Sequence, residues 1–194
     1  MAEDGLSYKV VVIGGSAGSL ELVLKITQAF PLNSGAIFIA VVHRKSDADS
    51  ILASLLASRT LLPVREVEDK ETIQPNTVYL APPDYHLLVE DRLCFSLDRS
   101  EKIHYSRPSI DVTFESVAHT FGAATIAVLL SGANADGAEG MLSIKQAGGI
   151  TLVQDPSTAE VAYMPQQAIR QEAASHIIAA DELPGYIRNM LEAV

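Results

Sequence analysis

The stretch from Tyr8 to Phe30 reads YKVVVIGGSAGSLELVLKITQAF, and its three parts decide the fold. Tyr8 to Ile13 is a short apolar run rich in valine, the pattern of a strand buried on both faces. Leu20 to Phe30 is apolar with helical spacing and is closed by Pro31, so it predicts a helix. Gly14-Gly15-Ser16-Ala17-Gly18-Ser19 lies between them as a tight strand-to-helix turn. A hydroxyl held there stands at the carboxyl edge of a strand and beside the amide-rich start of a helix. A nucleophile and an oxyanion site can share such a turn.

Two further apolar runs end in the same manner. Ala36 to Val42 runs into His43, and Thr125 to Leu130 empties into Ser131-Gly132-Ala133-Asn134-Ala135-Asp136-Gly137. If all three runs are parallel strands of one sheet, Ser16, His43 and Asp136 lie along one rim, the edge at which ligands of open α/β sheets collect. They would supply a nucleophile, a base and an orienting carboxylate. Each also has a plainer reading. A Gly-rich turn commonly binds phosphate or only permits a sharp bend, a lone strand-end histidine is often structural, and Asp136 is placed to form an Asx-turn or helix cap. The nucleotide readings are weakened by the residues themselves. No G-x-G-x-x-G is complete, the second strand closes on His43 rather than an acid, and the turn carries no Gly-Lys-Ser or Gly-Lys-Thr, the first lysine after it being Lys25 in the helix. The order Ser, His, Asp differs from that of the α/β-hydrolases, but triad logic is geometric and does not depend on order.

Outside these turns, strand-like and helix-like stretches alternate without linker or repeat. Asp47 to Ser58 predicts a helix with Ile51, Leu52, Leu55 and Leu56 on one face. The middle changes character: Pro63–Glu68, Thr77–Ala81, His86–Val89 and Leu93–Leu97 are short β-rich pieces, with Glu90-Asp91-Arg92 as a hairpin turn. They are expected to form an antiparallel or mixed insert at one edge. Helices follow at Ser109–Phe121, Gly137–Gln146, Pro165–Glu172 and from Glu182, with strands at Thr125–Leu130, Ile150–Gln154 and His176–Ala179. The whole predicts an α/β fold, a doubly wound, mainly parallel sheet with helices on both faces and a small antiparallel β insert.

Composition narrows the function. With 194 residues and 48% apolar content, one domain with a full core is the simplest reading. A net charge of -10 argues against nucleic acid and anionic membrane surfaces, which call for clustered Lys and Arg. The single cysteine, Cys94, makes neither a disulfide framework nor a multi-cysteine zinc site, and it reads as a small buried hydrophobe. No signal-type or membrane-spanning apolar run occurs, so a soluble, cytoplasmic protein is expected.

The chain resembles the catalytic domain of the CheB-type protein-glutamate methylesterases of bacterial chemotaxis. The resemblance is carried by Ile13-Gly14-Gly15-Ser16-Ala17-Gly18, Val42-His43, Leu80-Ala81-Pro82-Pro83-Asp84-Tyr85-His86, Arg107-Pro108-Ser109-Ile110-Asp111, Ser131 through Gly137, Gly140-Met141 and Met164-Pro165. These blocks span nearly the whole chain in the family's order. The resemblance implies Ser16 as nucleophile, His43 as general base and acid, Asp136 as orienting carboxylate, and the backbone amides of Ala17 and Ala133 as the oxyanion hole. It implies hydrolysis of glutamate γ-methyl esters on the cytoplasmic helices of chemotaxis receptors, allows hydrolysis of a glutamine side-chain amide, and requires no metal or other cofactor. His86, Arg107 and Met164 lie in family-like blocks and are expected at the site border, Arg107 contacting a carbonyl or an acidic receptor flank, or else making a structural salt bridge. His104, His119 and His176 read as surface or packing residues, and Arg44 and Lys45 as loop charges.

Several positions depart from the family pattern. Ala17 and Ala133 stand where some members carry Thr and Met, which backbone donors tolerate. Ser19 replaces a glycine and is placed to cap the following helix. Asn134-Ala135 replaces a common Gly-Asn and alters the hydrogen bonding expected around Asp136. Members commonly carry an amino-terminal phospho-receiver domain, whereas Met1 to Ser7 alone precede the first strand here. The expectation is therefore a single catalytic domain, active without phosphorylation or controlled by a regulatory domain in trans. The competing function class is a noncatalytic relative, or a small-ligand binder acting through protein contacts.

Overall fold

The structure, a computed structural model, describes residues 9–44, 49–91 and 94–193. The expected starts of the first strand at Tyr8, the second helix at Asp47 and the hairpin's return strand at Leu93 lie outside the described residues, as do Lys45 and Arg92. The elements run β1 (Val10–Gly15), α1 (Leu20–Gln28), β2 (Ile37–Val42), α2 (Asp49–Arg59), β3 (Val64–Glu66), β4 (Thr77–Leu80), β5 (His86–Asp91), β6 (Cys94–Asp98) and α3 (Ile110–Phe121). They continue with β7 (Thr125–Leu129), α4 (Ala138–Gln146), β8 (Ile150–Gln154), α5 (Tyr163–Arg170), β9 (His176–Ile178) and α6 (Leu183–Glu192).

Seven strands form one sheet in the order β3-β4-β2-β1-β7-β8-β9, with every pairing parallel. β5 and β6 make a separate antiparallel hairpin. This corrects one expectation. β3 and β4 belong to the parallel sheet rather than to the insert, which is the hairpin alone. Short apolar runs such as Thr77–Leu80 look alike in parallel and antiparallel settings, and only the connection lengths and partners decide.

The central strands are apolar throughout because both faces are covered. Val10 and Val12 of β1, Ile37 and Ile39 of β2, and Ala127 and Leu129 of β7 face a core shared with α3, α4, α5 and the hairpin. Val11, Ile13, Phe38, Ala40, Ile126 and Val128 face the opposite core with α1, α2 and α6. β1 lies between β2 and β7, so the three central strands deliver Ser16, His43 and the 131–136 loop to one edge. The backbone stitches them there: His43 N–H donates to Gly15 O at 3.1 Å, Leu130 N–H to Gly14 O at 2.9 Å and Ser16 N–H to Ser131 O at 2.9 Å.

Candidate active site

The turn after β1 is built to present Ser16. Its carbonyl accepts both the backbone N–H of Ser19, at 3.1 Å, and the Ser19 hydroxyl, at 2.7 Å. Ser19 thus closes the turn, and its side chain makes no cap bond to α1. Gly18 has φ of +77°, a left-handed conformation that strains any residue with a Cβ. From below, the Ser131 hydroxyl donates to Ala17 O at 2.7 Å and accepts Val161 N–H at 2.9 Å, tying the turn to the loop after β7. Ser16 is half-buried, and among the described residues its hydroxyl makes no hydrogen bond.

His43 and Asp136 are joined directly, His43 Nε2 to Asp136 Oδ2 at 2.7 Å. Asp136 is fully buried and sits at the amino terminus of α3. Ile110 N–H donates to Oδ2 at 2.7 Å, and Asp111 N–H at 3.0 Å and the Ser109 hydroxyl at 2.8 Å donate to Oδ1. Burial alone would push this carboxyl up, but the His43 bond and the amides of Asp111 and Ile110 outweigh it and hold the group below the usual carboxylate range. The Asn134-Ala135 replacement does not touch the carboxylate itself: its donors are His43 and the residues at the start of α3, and Asn134 Oδ1 accepts only the Asp136 backbone N–H, at 3.2 Å.

A carboxylate acceptor at Nε2 fixes the proton there and leaves Nδ1 with its lone pair. Nδ1 meets the hydroxyl of Ser106 at 3.3 Å. No hydrogen bond joins Ser16 to His43 among the described residues. The two instead line one cleft, with Ala17, Leu20, Val42, Arg44 and the α2 residues Ile51, Leu52 and Leu55. Ala17, which lines this cleft, and Ala133, in the loop after β7, are exposed, and neither backbone N–H donates to an acceptor among the described residues.

The sequence model of the CheB methylesterase family matches residues 11–187. The chain belongs to the CheB methylesterase family. It is 38% identical over 178 residues to a Leptospira interrogans protein provisionally named as a protein-glutamate methylesterase/protein-glutamine glutaminase, covering 92% of each. It is 34% identical over 187 residues to the protein-glutamate methylesterase/protein-glutamine glutaminase of Thermotoga maritima, covering 95% of this chain and 54% of that one. Among solved structures, the Thermotoga maritima CheB methylesterase catalytic domain superposes with a TM-score of 0.91 at 34% identity, covering 97% of this chain and all of that one.

Within this CheB fold the remaining expected residues are supports. His86 is fully buried behind the site; Ser109 N–H donates to its Nδ1 at 3.1 Å and its Nε2 donates to Glu101 O at 2.9 Å. It steadies the residue that in turn holds Asp136. Arg107 spends Nη1 on the carbonyls of Arg99, at 3.0 Å, and Ser100, at 2.7 Å, fastening the 99–107 loop, and it makes no ion pair among the described residues. Met164 is buried and packs against Gly132, beneath the loop that carries Ala133. Cys94 is half-buried on β6.

Four residues gain roles that sequence reading did not assign. Arg44 is no plain loop charge: it bonds Glu66 at the end of β3 and Ala81 O beyond β4, locking three strand ends beside the cleft. Ser109 and Asp111 flank the start of α3, Asp111 accepting the amides of Gly137 and Gly140, each at 2.8 Å. Ser106 touches the histidine itself. The quoted block from Arg107 to Asp111 was the available signal for two of them; contacts spanning 63 residues, as for Ser106, leave none. Among the described residues no group of three or more His, Cys, Asp and Glu side chains is placed to hold a metal ion, and no helix is long and apolar enough to cross a membrane.

Proposed function

We propose that this chain is a serine esterase that hydrolyses glutamate γ-methyl esters on the cytoplasmic helices of chemotaxis receptors, with Ser16 as nucleophile, His43 as base and Asp136 as its orienting carboxylate. The observation that carries the reading is the 2.7 Å contact between His43 Nε2 and the buried, ionised Asp136, on the rim where Ser16 lines the same cleft. With Nε2 committed, Nδ1 is the nitrogen that takes the Ser16 proton. Ser16 Oγ attacks the ester carbonyl, and the amides of Ala17 and Ala133 receive the developing oxyanion. Collapse expels methoxide, which leaves as methanol with the proton held on His43. Water then attacks the glutamyl-Ser16 ester, giving its proton to His43, and the glutamate carboxylate departs as Ser16 recovers its hydrogen. Asp136 stabilises the imidazolium formed in each half. The apolar cleft wall from Leu20 to Leu55 suits the aliphatic part of a glutamyl side chain and its methyl group.

The family's second named activity fits the same residues, with ammonia leaving in place of methanol and His43 protonating it. We assign the chain to the cytoplasm, with the family-matched region, residues 11–187, acting as one catalytic domain. The test is methanol release from methylated receptor membranes. Ser16→Ala and His43→Gln are each expected to lower turnover by roughly 10⁴-fold, while the fold is retained. Loss of only a few-fold in either variant would contradict the assignment.

A further inference from the structure

We propose that Ser106 is a positioning residue that occupies the proton-accepting nitrogen of His43 in the resting protein and must release it before Ser16 can be activated. The inference rests on the roles given above to Ser16 and His43.

Its basis is the polarity of one hydrogen-bonded chain. Asp136 accepts from His43 Nε2, so Nδ1 can only accept. The single hydroxyl proton of Ser106, 3.3 Å away, is therefore the donor to Nδ1. The Ser106 oxygen in turn lies 3.5 Å from Asn134 Nδ2, which can only donate. Every group thus has one consistent sense, from Asn134 through Ser106 and His43 to Asp136. While the chain stands, the lone pair that Ser16 needs is filled, in keeping with a Ser16 hydroxyl that makes no hydrogen bond among the described residues.

The alternative position for the Ser106 proton is also present. The carbonyl of His104 lies 3.5 Å from Ser106 Oγ and accepts Asn134 Nδ2 at 3.2 Å. Rotation of one hydroxyl toward His104 frees Nδ1 without moving the backbone. Both contacts are long for O–H donors, so the exchange costs little. Ser106 and His104 belong to the 99–107 loop that Arg107 fastens, and Asn134 to the loop carrying Ala133 and Asp136. The latch therefore joins two loops that meet at His43 and is sensitive to anything that docks over them.

The experiment is the rate of fluorophosphonate labelling of the full chain, with the adduct located by peptide mass spectrometry, in the wild type, Ser106→Ala and Ser106→Thr. Removing one neutral hydrogen bond from the base is expected to make Ser106→Ala label at Ser16 about 2- to 10-fold faster. Ser106→Thr, which keeps the donor, is expected to label at the wild-type rate, a rescue that a purely structural role of the loop would not produce. Equal or slower labelling of Ser106→Ala overturns the proposal, and so does acceleration in both variants. Absence of any adduct on Ser16 in the wild type would fell the esterase reading and the latch together, whereas a labelled Ser16 with an unaccelerated Ser106→Ala fells the latch alone.

Discussion

Asp136 is a fully buried carboxylate that nevertheless stays ionised, because four donors converge on its two oxygens. Desolvation of a lone carboxylate would cost several kcal/mol, and hydrogen bonds from charged or helix-terminal donors offset it. Its neighbour Asp111 has the opposite fate. Burial, opposed by the amides of Gly140 and Gly137 and aided by the Asp136 charge, pushes the Asp111 carboxyl up to about 7. A carboxyl raised in the folded state stabilises the fold fully below its ordinary pKa of 3.8, and that contribution is lost as pH rises toward 7. Asp111→Asn keeps an acceptor for both glycine amides and cannot ionise. Its stability relative to wild type is thus expected to be about 2 kcal/mol more favourable at pH 8 than at pH 5, read from urea midpoints. Parallel pH profiles for the two proteins would show that Asp111 titrates normally. At this scale the sequence made Ser16, His43 and Asp136 legible, since each ends an apolar run. It could not expose Ser106, Arg44 or the service of His86 to Ser109, because these depend on loops brought together only by the folded sheet.

Elements place those residues, and one of the close approaches between them is where α4 meets α3. A Cβ on Gly140 would lie 2.5 Å from Phe114 Cβ and 3.1 Å from the Asp111 backbone, so the two helices touch through a missing side chain. Gly140→Ala gains roughly 1 kcal/mol in helix propensity, but forcing apart a helix pair that also carries the Asp111–Gly140 bond costs more. The variant is expected to lose about 2 kcal/mol net, measured by chemical denaturation, and to lose activity with it, because α3 holds Asp136. Unchanged or increased stability would mean that the helices part without strain. The alternation of strands and helices was readable from apolar runs and their glycine and proline boundaries, to within a residue or two at most ends. The allegiance of β3 and β4 was not, since strands of only three and four residues, VRE and TVYL, do not say which neighbour they will pair with.

Taken as a whole, the described residues form a seven-stranded parallel sheet between two helical layers, with a separate hairpin, and Ser16, His43 and the 131–136 loop follow the carboxyl ends of β1, β2 and β7. The two cores pack on opposite faces of those strands and so hold the three strand ends at one edge. This arrangement gives the central claim, that the Ser16 hydroxyl is the group His43 and Asp136 activate. Mapping the adduct left by a serine-directed fluorophosphonate tests it most directly. A single adduct on Ser16, lost in His43→Gln and strongly reduced in Asp136→Asn, is expected. An adduct on Ser106, Ser131 or any other serine, or labelling of Ser16 that persists without His43, would contradict it.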